Sequence, residues 1–257
     1  KFDSKKLNLL KEKLIYKSGL ASTQIKKLSS LFSNMQSIQN AMAAILFNGA
    51  FLYHIHTLNT LLNWKKEYSK HIKEWLEIIG EFETLNSLAN FSYNNPTFIF
   101  PDLNKNYEII LEELGHPLIQ KEKRICNDVE FKENNFIILT GSNMSGKSTF
   151  LRTLGINMVL AGIGSPICST KANVHPLNVI VSMRQTDSLN DGESYFFAEV
   201  KRLRQIMDKL QSEICFVLLD EVLKGTNSDD KQTGTIEVIK KIISKNAIGS
   251  IATHDLE

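Results

Sequence analysis

Cysteine is scarce in this chain of 257 residues, and Cys126, Cys168 and Cys215 form no C-x-x-C pair. That argues against a zinc ribbon or a disulfide framework. Cys215 sits in an apolar run and reads as a small buried hydrophobe in a reducing cytosol, so the expected compartment is the cytoplasm. No secretory signal is visible. Long apolar runs are also missing: the densest stretch, from Ala41 to Leu62, is interrupted by Asn48, His54, His56 and Asn59, which are costly in lipid. It reads as a buried helix, not a membrane span. His54 and His56, two apart on a helix, point to different faces, which argues against a shared metal. Neither sign of charge dominates, because 30 basic and 28 acidic side chains leave a formal net charge of +2. Charge therefore names no partner, and runs such as Lys5-Lys6 and Lys26-Lys27 read as solvated helix faces before nucleic-acid contacts. The first residue is Lys and the end at Ala252-Thr-His-Asp-Leu-Glu257 is abrupt, which reads as a piece of a longer chain.

Proline is absent from Ser22 to Asn94, and glycine is rare there. Apolar positions recur in steps of four and three at Leu31, Met35, Ile38, Met42, Ile45, Gly49 and Leu52, the period of a long helix with a packing seam. Shorter helices are expected at Trp64 to Ile79 and at Phe82 to Phe91. Glu81-Phe82-Glu83 lies inside this helical pattern and reads as structural. The period ends where turn formers gather, at Asn95-Pro96 and Pro101 to Asn106. The expected organisation is an all-α helical lever or core region over 1–103 and an α/β nucleotide-binding domain over 104–257. In the second part, short apolar runs at Tyr107 to Leu111, Phe136 to Leu139, Val179 to Met183, Ile214 to Leu219 and Ala247 to Ala252 are the candidate strands.

What is present is a phosphate-binding loop. The run Ile137 to Leu139 leads into Gly141-Ser142-Asn143-Met144-Ser145-Gly146-Lys147-Ser148-Thr149, the spacing G-x-x-x-x-G-K-S between a strand and a helix beginning near Phe150. Glycines let the backbone curl until its N–H groups face phosphate oxygens, and side-chain bulk would block that approach. Lys147 is expected on the β- and γ-phosphates, Ser148 on Mg²⁺, and the helix presents its positive end to the anion. ATP and Mg²⁺ are the implied ligands. Further on, the apolar strand Ile214 to Leu219 ends in Asp220-Glu221. There Asp220 would hold Mg²⁺, usually through water, and Glu221 would orient or deprotonate the attacking water. After the last strand comes Thr253-His254, whose imidazole can reach a γ-phosphate.

Five stretches resemble the MutS family of DNA mismatch-repair ATPases, a branch of the ABC-type phosphate-loop fold. They are His116-Pro-Leu118 with Ile125-Cys-Asn-Asp128; Thr140 to Arg152, with Asn143-Met144 inside the loop; Gly162-Ile-Gly164; Asp187 with Glu193-Ser-Tyr-Phe-Phe-Ala-Glu199; and Leu219 to Thr226 with Ala252-Thr-His254. The resemblance implies that Asn143 lies at the triphosphate, that Ser194 serves the ATP of a partner subunit, and that the region from His116 to Asn127 borders the adenine. It assigns Lys147, Glu221, His254 and Ser194 to catalysis, and makes Gly225-Thr226 and Asp230 the turn through which two subunits sense each other. A homodimer through the ATPase domain is implied, with DNA as a partner of the full-length protein. Two departures stand out: Leu223 occurs where the family usually has Gly, and Ser194-Tyr195-Phe196 where it has Ser-Thr-Phe. Over the helical half the likeness is carried by Glu81 to Ala89, and the mismatch-reading domain that the resemblance places ahead of it is not among these 257 residues. The expected function is an ATP-hydrolysing module of a MutS-like repair protein whose ATP state switches the dimer and its helical levers. Two alternatives stay open: a nucleotide-dependent DNA clamp or structural protein with negligible turnover, and a MutS-like role outside mismatch repair.

Overall fold

The computed structural model describes residues 4–16, 19–36, 45, 49, 51–132, 136–142, 144–183, 195–223 and 228–254. By its own contacts the chain divides into two compact units, Lys1–Asn90 and Phe91–Glu257.

In the first unit, α1 (Lys5–Lys13) is capped by Ser4, whose hydroxyl accepts from the Leu7 N–H. A small antiparallel pair, β1 (Ile15–Tyr16) and β2 (Gly19–Leu20), leads into α2 (Ala21–Gln36). The helix α3 (Tyr53–Asn94) runs unbroken for 42 residues. The two shorter helices expected from the sequence are thus one. Gly80 does not interrupt it, and its carbonyl also accepts from the Thr84 hydroxyl. The helix stops where Asn95 turns its side-chain amide onto the Phe91 carbonyl and Pro96 disfavours a further helical residue before it. Trp64 and Trp75 of α3, buried with Ala21 and Leu31, form the core of this unit. The expected seam over Leu31 to Leu52 falls largely outside the described residues.

The second unit holds two four-stranded sheets. Its main sheet is entirely parallel, in the order β6 (Phe136–Leu139), β10 (Ile248–Ala252), β9 (Cys215–Asp220), β8 (Asn178–Ser182). Every residue of β9 is buried, as expected of a parallel strand covered on both faces. One face carries α4 (Lys147–Gly162), whose Leu151, Leu154 and Met158 meet Phe216 and Leu218. The other carries Leu203, Ile206 and Leu210 of the α5 region (Tyr195–Lys209) and Ile239 and Ile242 of α6 (Ser228–Ile243). Burying a side chain of this size contributes about 2 kcal/mol. The chain therefore folds as the mixed α/β unit expected.

The second sheet, in the order β3 (Asp102–Leu103), β7 (Lys171–Val174), β4 (Ile109–Leu114), β5 (Asn127–Phe131), packs on the α4 side through Ile109, Leu111 and Phe131. The turn-rich segment expected as the boundary supplies β3 to this sheet, and Ile99 bridges Ile167. A bulge between Leu111 and Leu114 puts Glu113 at φ 50°, its N–H donating to the Asp128 carboxylate. That irregularity delivers the chain to His116.

Candidate functional site

Three chain segments leave the main sheet at the carboxyl ends of adjacent strands: the loop after β6, Glu221 directly after Asp220 at the end of β9, and Thr253-His254 after β10. Ligands of parallel α/β sheets bind at this end. The parallel register places Leu139, Ala252 and Asp220 side by side. The Thr253 N–H then donates to the Leu139 carbonyl at 3.0 Å, and the Glu221 N–H to the Ala252 carbonyl at 2.9 Å. These two bonds extend the sheet just past its ordinary end.

In the loop, Gly141 and Gly146 take φ of 135° and 93°, which a side chain would resist. Gly146 caps α4 without any side-chain hydrogen bond, so the first-turn N–H groups of the helix stay available to an anion. Met144 lies at the loop tip, fully exposed, with φ 66°. The Lys147 ammonium donates to the Gly141 carbonyl at 2.6 Å and to the Ser142 carbonyl at 2.8 Å. At 3.4 Å it faces Nδ1 of His254. A ring nitrogen facing an ammonium accepts, which leaves the His254 proton on Nε2, and Nε2 lies 2.8 Å from Glu221 Oε1. Lys147, His254 and Glu221 thus form one line of polar contacts across three strand ends. Asp220 is nearly buried beside them at 6% exposure.

A cavity of about 760 Å³ opens against the loop. Gly141, Ser142, Ser145, Gly146, Lys147 and Thr149 line it, and so do His116 and Asn127 from the second sheet. Its wall adds Ile119, Lys123 and Ile125, which lie inside the His116 to Asn127 region expected at the adenine although only its ends were named as site residues, and also Phe150. Phe150 carried a signal, being an aromatic in the first turn after a phosphate loop. Lys123, in a charged run, carried none of its own. Arg124 fixes this wall by donating twice to the Ile119 carbonyl, at 3.0 and 2.7 Å, while its guanidinium lies over the Phe98 ring. Burial, and then the Arg152 and Arg124 charges, lower the His116 pKa from its ordinary value. Its Nδ1 accepts from the Leu118 N–H at 3.2 Å.

Asn157, buried on α4, joins the wall to the loop helix: its amide donates to the Gly115 carbonyl at 3.0 Å, and its oxygen accepts from the Cys168 N–H at 2.9 Å. Burial raises the Cys168 thiol pKa, and likewise that of Cys215 inside β9. Asn143, Ser194 and the turn Gly225-Thr226 lie outside the described residues, as does the side chain of Asp230. Among the described residues no three His, Cys, Asp or Glu side chains gather as a metal cage. Mg²⁺ at phosphates asks for less: one or two protein oxygens, waters and the phosphates themselves. The Ser148 hydroxyl at the helix start and the Asp220 carboxylate are chemically suited to that sparse coordination. Among the described residues no helix is long and apolar enough to cross a membrane.

Comparison with known proteins gives a consistent likeness. The family described as MutS domain V matches residues 137–257. The DNA mismatch repair protein MutS of Methanosarcina barkeri is 30% identical over 214 residues, 80% of this chain and 23% of that protein. The DNA mismatch repair protein MutS of Clostridium botulinum strain Okra is 34% identical over 199 residues, 74% of this chain and 21% of that protein. The chain thus spans between a fifth and a quarter of the length of these curated relatives.

Proposed function

The chain is a MutS-like protein with a MutS domain V at residues 137–257, and from that premise we propose that it is the ATP-binding and ATP-hydrolysing module of a longer DNA mismatch-repair protein. Its second unit is an ABC-type phosphate-loop domain. ATP state is linked to dimerisation and to the conformation of the helical region. The observation that carries this reading is the convergence of Lys147, His254 and Glu221 at three strand ends, beside a cavity lined by the phosphate loop.

In this reading the triphosphate sits on the N-terminus of α4, cradled by backbone N–H groups from Gly141 to Thr149, with Asn143 beside it. Lys147 exchanges its two loop carbonyls for phosphate oxygens, which stabilise an ammonium more strongly because they are charged. Mg²⁺, held by Ser148 and Asp220, supplies charge neutralisation to the phosphates. Glu221 orients the attacking water and accepts its proton. His254, whose Nε2 proton faces Glu221 in the chain without nucleotide, turns that proton to the γ-phosphate once ATP is bound, which frees the Glu221 carboxylate for the water. The adenine occupies the wall at His116 and Asn127. Ser194 of a partner subunit completes the site. DNA is the partner of the full-length protein.

The alternative of a DNA clamp with negligible turnover has one observation in its favour: Leu223, close to Glu221, is held at φ 61°, where glycine is at ease. Turnover decides between them. Lys147→Ala removes the main electrostatic element of the loop, and a loss of roughly a thousandfold in ATP turnover is expected. Glu221→Gln is expected to retain ATP binding by calorimetry while losing hydrolysis. Near-normal turnover in Lys147→Ala would refute the site, and no measurable turnover in the parent chain, with or without DNA, would favour the clamp.

A further inference from the structure

Directly after β9 the backbone places two ordinary residues in the left-handed region, Glu221 at φ 51° and Leu223 at φ 61°. Side chains other than glycine stay there only when their surroundings hold them. Leu223 is 9% exposed and packs in the core with Val222, Ile239 and Ile242. Its Cδ1 occupies a notch on α6 left by Gly234, where an added Cβ would stand 2.5 Å away. Gly234 lies inside a helix, a position glycine disfavours. Both residues therefore break the local rule for their backbone, and they do so at the same point of contact. The space one needs is the space the other yields.

Glu221 sits two residues before this knob. Its N–H is bound to the Ala252 carbonyl and its carboxylate lies 2.8 Å from His254. One end of the short turn is thus tied to β10 and the other is plugged into α6. We propose that Leu223 and Gly234 act as a positioning pair: the Leu223 side chain, seated in the Gly234 notch, holds the strained turn that aims the Glu221 carboxylate at His254. This rests on the ATPase reading only for its effect on turnover. The aim of the carboxylate is a property of the chain without nucleotide.

The test compares the parent chain with Leu223→Gly, with Gly234→Ala, and with the transposed double variant Leu223→Gly/Gly234→Leu. Two readouts are needed: kcat and KM for Mg-ATP, and the side-chain ¹⁵N spectrum of His254 without nucleotide, which reports the Nε2–H bond to Glu221. Leu223→Gly restores the residue the family usually carries but empties the Gly234 notch, so the two readings of this position predict opposite signs. The positioning pair predicts a kcat lowered by roughly ten- to a hundredfold, with KM changed by no more than about twofold, because misplacing one catalytic group acts on the chemical step. An unchanged or raised kcat would overturn it and leave Leu223 as a hindrance to turnover. The positioning pair also predicts that Leu223→Gly erases the hydrogen-bonded Nε2 signal. Gly234→Ala, which crowds the Leu223 methyl, should shift both readouts the same way. The transposed variant refills the notch from the helix side and gives the turn a residue at ease in it. Recovery of kcat to within about threefold of the parent is expected. Single variants with parental kcat and parental His254 signal would overturn the proposal, as would a transposed variant no better than Leu223→Gly. A parent chain that binds but does not hydrolyse ATP would sink the ATPase reading, and the His254 spectrum would still decide the pair.

Discussion

His116 shows how a single residue of the site carries a measurable signature. Burial and two nearby guanidinium groups hold its pKa below the ordinary 6.5, so the unfolded chain takes up a proton first as pH falls. Its contribution to stability is therefore full above that value and is lost as pH drops below it. Protonation also removes the acceptor on Nδ1 that holds the Leu118 N–H. The thermal midpoint is expected to fall between pH 7.5 and 5.5, and to fall less in His116→Asn, whose carbonyl can replace Nδ1. An equal fall in both proteins would remove His116 as a source. At this scale, legibility in the sequence followed chemistry. Lys147 was readable from the glycine spacing of the phosphate loop, and Asp220, Glu221 and His254 from their places at the ends of apolar strands downstream of that loop. Asn157 and Arg124 were not, since what they bind are main-chain groups whose position only the fold creates; the Gly115 carbonyl is 42 positions from Asn157.

Among the elements, the parallel strands β8 and β9 were legible because they are runs rich in Val, Ile, Leu and Phe bounded by turns, while β10 (Ile-Gly-Ser-Ile-Ala) was legible as the short run just before Thr253-His254. By contrast β5 (Asn-Asp-Val-Glu-Phe) and β7 (Lys-Ala-Asn-Val) bury only alternate residues and carry charge on the open side, so their short patterns resemble loops. The length of α3 was missed for a different reason. A glycine in a helical pattern lowers propensity by about 1 kcal/mol, which a helix of 42 residues absorbs. The element most sensitive to one atom is β10. Gly249 has φ 155°, and a Cβ there would overlap the Val217 carbonyl of the neighbouring strand β9. Since these strands carry Glu221 and His254, Gly249→Ala is expected to cost about 3 kcal/mol. That lowers the thermal midpoint by roughly 10 °C for a chain of this size. A midpoint within about a degree of the parent, at the instrument's ordinary precision, would mean that the strands do not approach as closely as described.

For the molecule as a whole, the decisive question is whether one chain completes the site. Exposed apolar side chains lie in and next to the cavity lining: Ile125 in the wall is 82% exposed, Leu118 beside Ile119 is 84% exposed, and Met144 at the loop tip is fully exposed. Exposed apolar groups around a polar site are suited to coverage by another surface. The proposed dimer would supply one, with Ser194 of the second subunit completing the phosphate site. ATP is then a ligand of the dimer more than of the monomer, so it should drive association by mass action. Glu221→Gln chains are expected to sediment as dimers with ATP and to dissociate without it. Mixing separates a shared site from a self-contained one. Lys147→Ala chains lack the loop cation and Ser194→Ala chains lack the donated hydroxyl, so each homodimer has two defective sites. A heterodimer pairs the intact loop of one chain with the intact Ser194 of the other at one site and combines both defects at the second. With random exchange half the dimers are heterodimers, and the mixture should recover roughly a quarter of parental turnover. If each chain used its own Ser194, mixing would add nothing, and turnover would equal the mean of the two separate proteins. That result, in a mixture shown by sedimentation to contain heterodimers, would exclude the shared site and leave the exposed apolar side chains to another partner.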